Sequence, residues 1–94
     1  MELIEYKHGD YFGRNGISHV DTRTYRDDDA LVVNTSTWYM NGLVVSHTRR
    51  IDGSGHDVDE VSYLESGHGD HAIPISKEKA HKLMLEIQHK GKQK

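Results

Sequence analysis

The stretch Ser66-Gly67-His68-Gly69-Asp70-His71 places two imidazoles and a carboxylate within four positions, the donor types that hold a divalent metal and activate its bound water. His68, Asp70 and His71 are therefore the candidate metal ligands. One loop is short of ligands for a stable site, so the chemistry requires a second loop to fold against it, His8 with Asp10 or His56 with Asp57. The competing reading is a solvated turn in which Gly67 and Gly69 supply backbone freedom. We adopt that reading and expect neither metal nor cofactor.

The His-x-Asp-His part of this stretch resembles the second half of the H-x-H-x-D-H loop of the metallo-β-lactamase fold. Ser66 stands where that loop has its first His, and 23 residues follow His71 where that family places further ligands on distant loops of a larger four-layered sandwich. The resemblance covers six residues with one mismatch, and the family's activity is not carried over.

Other chemistries find less support in the chain. There is no Cys, which excludes disulfides, thiolate metal sites and thiol nucleophiles. Ser54 lies between glycines and not in a G-x-S-x-G elbow, and the glycines of His8–Gly16 match neither a dinucleotide fingerprint nor a P-loop. Asp27-Asp28-Asp29 offers oxygen ligands, but three consecutive carboxylates on a strand cannot all face one ion. They read better as an acidic turn available to a partner. Arg49 and Arg50, with Tyr39 and the other aromatics, have the composition of a binding hot spot or a single-strand platform. Eight His carry a further implication, since protonating all of them takes the formal charge from −3 to +5 and makes association pH-dependent.

Charge is unevenly distributed. Six Lys and two Glu fall in 77–94, leaving six basic and thirteen acidic residues ahead of them, so the tail carries +4 and the body −7. An acidic body does not suit a general duplex binder, whose affinity comes from neutralised phosphates, and it does suit docking on a basic protein surface. With 94 residues and only 34% hydrophobic content, one thin core is all the chain supports, and a homodimer or partner interface follows as an expectation. The segment MELIEYKHGDYF lacks a signal-peptide pattern and no apolar run is long enough for a membrane span, so a soluble cytoplasmic protein is expected.

The elements that would position these residues are strands. Leu3–Lys7, Ile17–Tyr25, the two arms around Asn41-Gly42, Val58–Leu64 and Ala72–Ile75 are rich in β-branched and aromatic residues, with turn residues between them. Asn41-Gly42 predicts a two-residue type I′ hairpin pairing Met40 with Leu43, Trp38 with Val45 and Val32 with Ile51, which would turn Trp38, Met40, Leu43 and Val45 toward the core. Ser76 is an N-cap, Ile75 and Ala80 occupy the staple positions, and Ala80, Leu83, Met84 and Ile87 form an apolar stripe. Leu85 falls off that stripe and marks a candidate interface.

The sequence thus predicts one α+β domain spanning 1–94: an antiparallel β-meander of four to six strands over about 2–75, an amphipathic C-terminal helix over about 77–90 packed on one face, and a frayed basic tail from 91 to 94. The function expected is a small non-enzymatic binding protein, with Asp27, Asp28, Asp29, Arg49, Arg50, Tyr39 and Leu85 as partner-binding residues. Its size and charge suit a phage or mobile-element inhibitor that acts on a host defence or nucleic-acid-handling protein by surface occlusion or acidic mimicry. The alternatives are nucleic-acid or nucleotide binding through Arg and aromatic residues, and a small metal-dependent hydrolase or nuclease built from the His-rich loops.

Overall fold

A computed structural model describes residues 1–69 and 71–91. Strands β1 (Glu2–Asp10), β2 (Ile17–Asp27), β3 (Ala30–Tyr39), β4 (Leu43–Ile51), β5 (Asp57–His68) and β6 (His71–Pro74) form one sheet in chain order, every neighbouring pair antiparallel, and helix α1 (Lys77–Gly91) follows. This is the α+β meander with a C-terminal helix that the patterning predicts. Two strands run further than expected. β1 continues through His8-Gly9-Asp10, which pair with Asp21, Val20 and His19. β5 continues through Ser66-Gly67-His68 and β6 opens at His71, so four of the six residues of the candidate metal loop are strand. Lys92–Lys94, expected to fray, lie outside the described residues.

The helix begins where its cap dictates. The Ser76 hydroxyl accepts the Lys79 N–H at 3.2 Å and the Ser76 carbonyl accepts the Ala80 N–H at 3.0 Å. Ala80 is then buried against Leu43 and Tyr63, and the Lys79 ammonium reaches Glu65 at 3.0 Å. At its far end α1 rests on the 3₁₀ turn Arg14–Gly16, so closely that a Cβ on Gly16 would lie 2.5 Å from the Ile87 side chain.

The register assigns each strand's residues to a face. Leu43, Val45, His47 and Arg49 share the helix face with Asp57, Asp59, Val61 and Tyr63, and α1 covers only the Leu43–Tyr63 end of it. No helix lies on the other face, which carries Tyr6, His8, His19, Asp21, Asn34, Ser36, Trp38, Val44, Ser46 and Thr48. Its centre is a ladder of short polar groups, in which the Asn34 amide donates to Ser46 at 3.1 Å and Thr48 at 2.8 Å. With so much of the sheet in a single layer, only Ala30, Leu43, Val44 and Ala80 are buried apolar residues among those described. The radius of gyration of 15.0 Å exceeds the roughly 12 Å of a compact chain this long, in keeping with a sheet that lacks a second layer.

The expected hairpin register is corrected. Trp38 pairs with Val44, Thr37 with Val45 and Leu31 with Ile51, one residue away from the predicted pairing. The connection is a three-residue loop, Met40–Gly42, in which Gly42 takes positive φ (97°) while Asn41 does not, and the Gly42 N–H closes the turn on the Tyr39 carbonyl at 3.1 Å. Tertiary bonds favour this loop. The Met40 N–H donates to the Gly16 carbonyl at 2.8 Å, the Asn41 amide donates to the Leu83 carbonyl at 2.9 Å, and the Gly42 carbonyl accepts the Ser66 N–H at 2.8 Å. A one-residue change of register reverses the faces of β4 relative to β3, so Trp38 and Val44 lie on the open face while Leu43 and Val45 lie under the helix side. Met40, expected in the core, is exposed.

Three substitutions separate these contacts. Gly13 and Gly16 both have positive φ, but a Cβ on Gly13 meets nothing. Gly16→Ala should therefore destabilise the protein by about 1–3 kcal/mol more than Gly13→Ala, because only Gly16→Ala also pushes Ile87 away. Thermal melts followed by circular dichroism check this, and equal losses would remove the helix contact as the cause. Asn41→Ala, which removes the bond to Leu83, should cost about 1–2 kcal/mol. Amide hydrogen exchange should accelerate in α1 before it does in β2 and β3.

Candidate functional site

The residues singled out from the sequence separate into two groups at opposite ends of the strands. At the end remote from α1, the β2–β3 turn meets the β4–β5 loop. The Arg50 guanidinium approaches Asp27 at 3.4 Å, and the Asp29 carboxylate accepts the Gly53 N–H at 3.2 Å. Asp28, exposed between them, has φ of 54°, a conformation that Asp tolerates better than most residues. Asp52 holds the facing loop by accepting the Ser54 hydroxyl at 2.7 Å and the N–H groups of Ser54 and His56, each at 3.0 Å. Those bonds, the Ser54 hydroxyl first, keep the Asp52 carboxyl below its ordinary pKa. Arg49 grips Asp57 with its Nη2 at 2.6 Å, and this hydrogen bond holds Asp57 low as well. Five aspartates from two separate stretches of the chain, 27–29 and 52–57, thus share one tip of the sheet.

Arg49 and Arg50 point to opposite faces and each is engaged with a carboxylate, so they do not combine into one basic patch. Tyr39 and Leu85 belong to the other end. Tyr39 is half-buried in an open cleft of about 700 Å³ between the 3₁₀ turn and α1, together with Ile17, Met84 and Ile87. Leu85 is 48% exposed on the outer side of the helix.

The His-rich loops do not converge. His8 and Asp10 are on β1 and His71 is on β6, the two edges of the sheet, while His56 and Asp57 sit at the opposite end of β5 from Ser66–His68. Five strand spacings separate β1 from β6, roughly 24 Å. Asp70 and the side chain of His68 lie outside what the structure describes. Among the described residues no three His, Asp or Glu side chains are placed to hold a metal ion.

One cluster was not anticipated. On the open face His8 lies between two carboxylates, its Nδ1 at 2.7 Å from Asp21 and its Nε2 at 2.8 Å from Asp10. The Tyr6 hydroxyl donates to the same Asp21 oxygen at 2.8 Å. The His8 ring lies 5.4 Å from that of His19, which stacks on Trp38 at 5.2 Å and 16°. The Trp38 indole N–H is buried with no acceptor among the described residues, so packing and stacking, not its polar group, hold the ring here. Alternation along Ile17–Asp27 does place His19, Asp21, Arg23 and Tyr25 on one face. Reading His8–Asp10 as loop hid the partners on β1.

A carboxylate at each ring nitrogen favours the imidazolium form of His8, in which both nitrogens donate. The bonds to Asp21 and then Asp10 raise its pKa above the ordinary 6.5. In this state neither nitrogen has a lone pair for a metal or a proton. Burial works to raise the Asp21 pKa, but the bonds from His8 and Tyr6 more than offset it and hold the carboxyl low. The same bond from the Tyr6 hydroxyl to Asp21 pushes Tyr6 upward.

The signs fix a pH dependence. A histidine whose folded pKa is raised contributes stability that is fully present below about 6.5 and is lost as pH rises through the folded value. Asp21, with its pKa lowered, contributes above about 3.9 and loses that as pH falls. The stability difference between the wild type and His8→Gln should therefore be larger at pH 5.5 than at pH 8.5. An NMR titration should place the His8 midpoint above that of an exposed histidine and bring it down in Asp21→Asn. A difference that grows with pH would show that His8 is neutral in the fold.

Compared with protein-family models, curated proteins and solved structures, the chain matches none of them.

Proposed function

We propose that this chain is a non-enzymatic binding protein that docks its acidic tip on a basic protein surface. The observation that carries the reading is the junction of the β2–β3 turn with the β4–β5 loop, where Asp27 is held by Arg50, Asp29 by the Gly53 N–H, Asp52 by its own loop and Asp57 by Arg49, with Asp28 exposed at the turn. A preorganised set of like charges suits recognition, because little conformational freedom remains to be lost on binding. The body charge of −7 extends the same potential and steers a basic partner toward the tip. Occlusion of such a surface is the mode of action that fits a small chain whose acidic residues gather at one tip, and a phage or mobile-element inhibitor of a host defence or nucleic-acid-handling protein is the biological role we infer from its size and charge.

Two immobilised probes, poly-lysine and single-stranded DNA, test the reading. Retention on poly-lysine should fall several-fold in Asp28→Asn with Asp29→Asn, both in the tip. It should fall much less in Glu78→Gln with Glu86→Gln, which removes the same charge from the helix. Asn at 28 keeps the positive φ accessible. Equal losses in the two variants would reduce the effect to net charge, and retention on DNA in preference to poly-lysine would replace this reading with nucleic-acid binding.

A further inference from the structure

The sheet has several open edges, and they are not equally guarded. β6 is four residues long and carries Pro74, and β5 beyond the reach of β6 carries Asp57, Asp59 and Glu60. Short length, proline and charge are the devices that keep an edge from pairing. β1 is nine residues long, contains no proline, carries charges of both signs (Glu2, Glu5, Lys7 and Asp10) with its register shifting only between Leu3 and Glu5, and exposes Leu3, Ile4 and Tyr6 at 52%, 44% and 49%. On its outer side no strand of the described residues satisfies its backbone.

We propose that β1 is a self-association edge that pairs antiparallel with β1 of a second copy about a two-fold axis at Tyr6. The choice of a second copy rests on charge. Neighbouring antiparallel strands related by a two-fold have like faces aligned, so the axis must pass through a residue pair. Glu5 and Lys7 share the helix face, opposite Thr24 and Thr22 of β2, and Tyr6 lies on the open face opposite Arg23. An axis at Glu5 sets Glu5 against Glu5, and an axis at Lys7 sets Lys7 against Lys7. An axis at Tyr6 sets Glu5 against Lys7 twice and the two Tyr6 rings side by side. Within one chain Lys7 and Glu5 already approach to 3.8 Å, so the groups are positioned to exchange partners. Glu2 and Asp10 would face each other at the ends, which confines the ladder to the middle of the strand. The product is a continuous sheet of two meanders, with its two acidic tips pointing in opposite directions.

Sedimentation velocity from low to high micromolar concentration tests this on the full chain. The wild type should pass from monomer to dimer. Lys7→Glu converts both cross-strand pairs into repulsions and should weaken dimerisation about tenfold. Adding Glu5→Lys to Lys7→Glu exchanges the charges and should return the affinity to within about threefold of the wild type. Both side chains are well exposed, and melting curves at the lowest concentration verify that the variants fold. Hydrogen exchange should slow in β1 as concentration rises. A wild type that stays monomeric, a Lys7→Glu that dimerises equally well, a double variant no better than Lys7→Glu, or protection that appears elsewhere than β1 would each overturn the proposal. None of these outcomes bears on the acidic tip, which is tested separately.

Discussion

Three hydrogen bonds to the Met40–Gly42 loop hold this structure in register. They come from different parts of the chain: the Gly16 carbonyl, the Leu83 carbonyl in α1 and the Ser66 N–H in β5. Because side chains alternate along a strand, the loop length decides which half of β4 faces α1 and which half faces outward. Had the connection closed in two residues, Trp38 would share a face with Leu43 and the helix would have to pack over an indole. With three residues it packs over Leu43, which is small enough for Ala80 to approach and leaves no exposed surface of its own. Local turn geometry and tertiary packing therefore reinforce one another at a single loop.

That dependence explains what could be read from the sequence and what could not. Strand existence was legible because β-branched runs alternate with Gly, Asn and Asp, and α1 was legible from the Ser76 cap and the Ala80-Leu83-Met84-Ile87 stripe. The register of the central hairpin was not. Asn41-Gly42 is compatible with two turn types, and the choice rests on bonds to Gly16, Ser66 and Leu83, the last 42 positions from Asn41. The acidic turn was visible as three consecutive Asp. Its union with Asp52 and Asp57 required knowing that β3 and β4 pair to their ends. The His8–Asp21 cluster was hidden by Gly9, which reads as a loop residue but sits in a strand where its neighbours carry the side-chain contacts.

A single-layer sheet places unusual weight on lateral side-chain contacts. On the open face the Asn34 amide bridges Ser46 and Thr48 of the next strand, Tyr6 and His8 of β1 bind Asp21 of β2, and His19 of β2 stacks on Trp38 of β3. These contacts run across the strands, as a second layer would otherwise do from above. Each is modest in water. Together they tie β1 to β2, β2 to β3 and β3 to β4 on the face that no helix reaches.

The order of the strands also bears on how the chain reaches this state during synthesis. Each strand lies beside the one made just before it, so a growing chain can add it to an existing edge without waiting for a distant segment, and the closure entropy of each step is small. α1 is made after all six strands and settles on Gly16 and Leu43, joining its last turns to the loop that precedes β2. Until then Leu43 and the glycine seat at position 16 have no cover. The nascent sheet would pass through a stage with this apolar corner open to the solvent, the stage at which a chaperone or a neighbouring nascent chain has access to it.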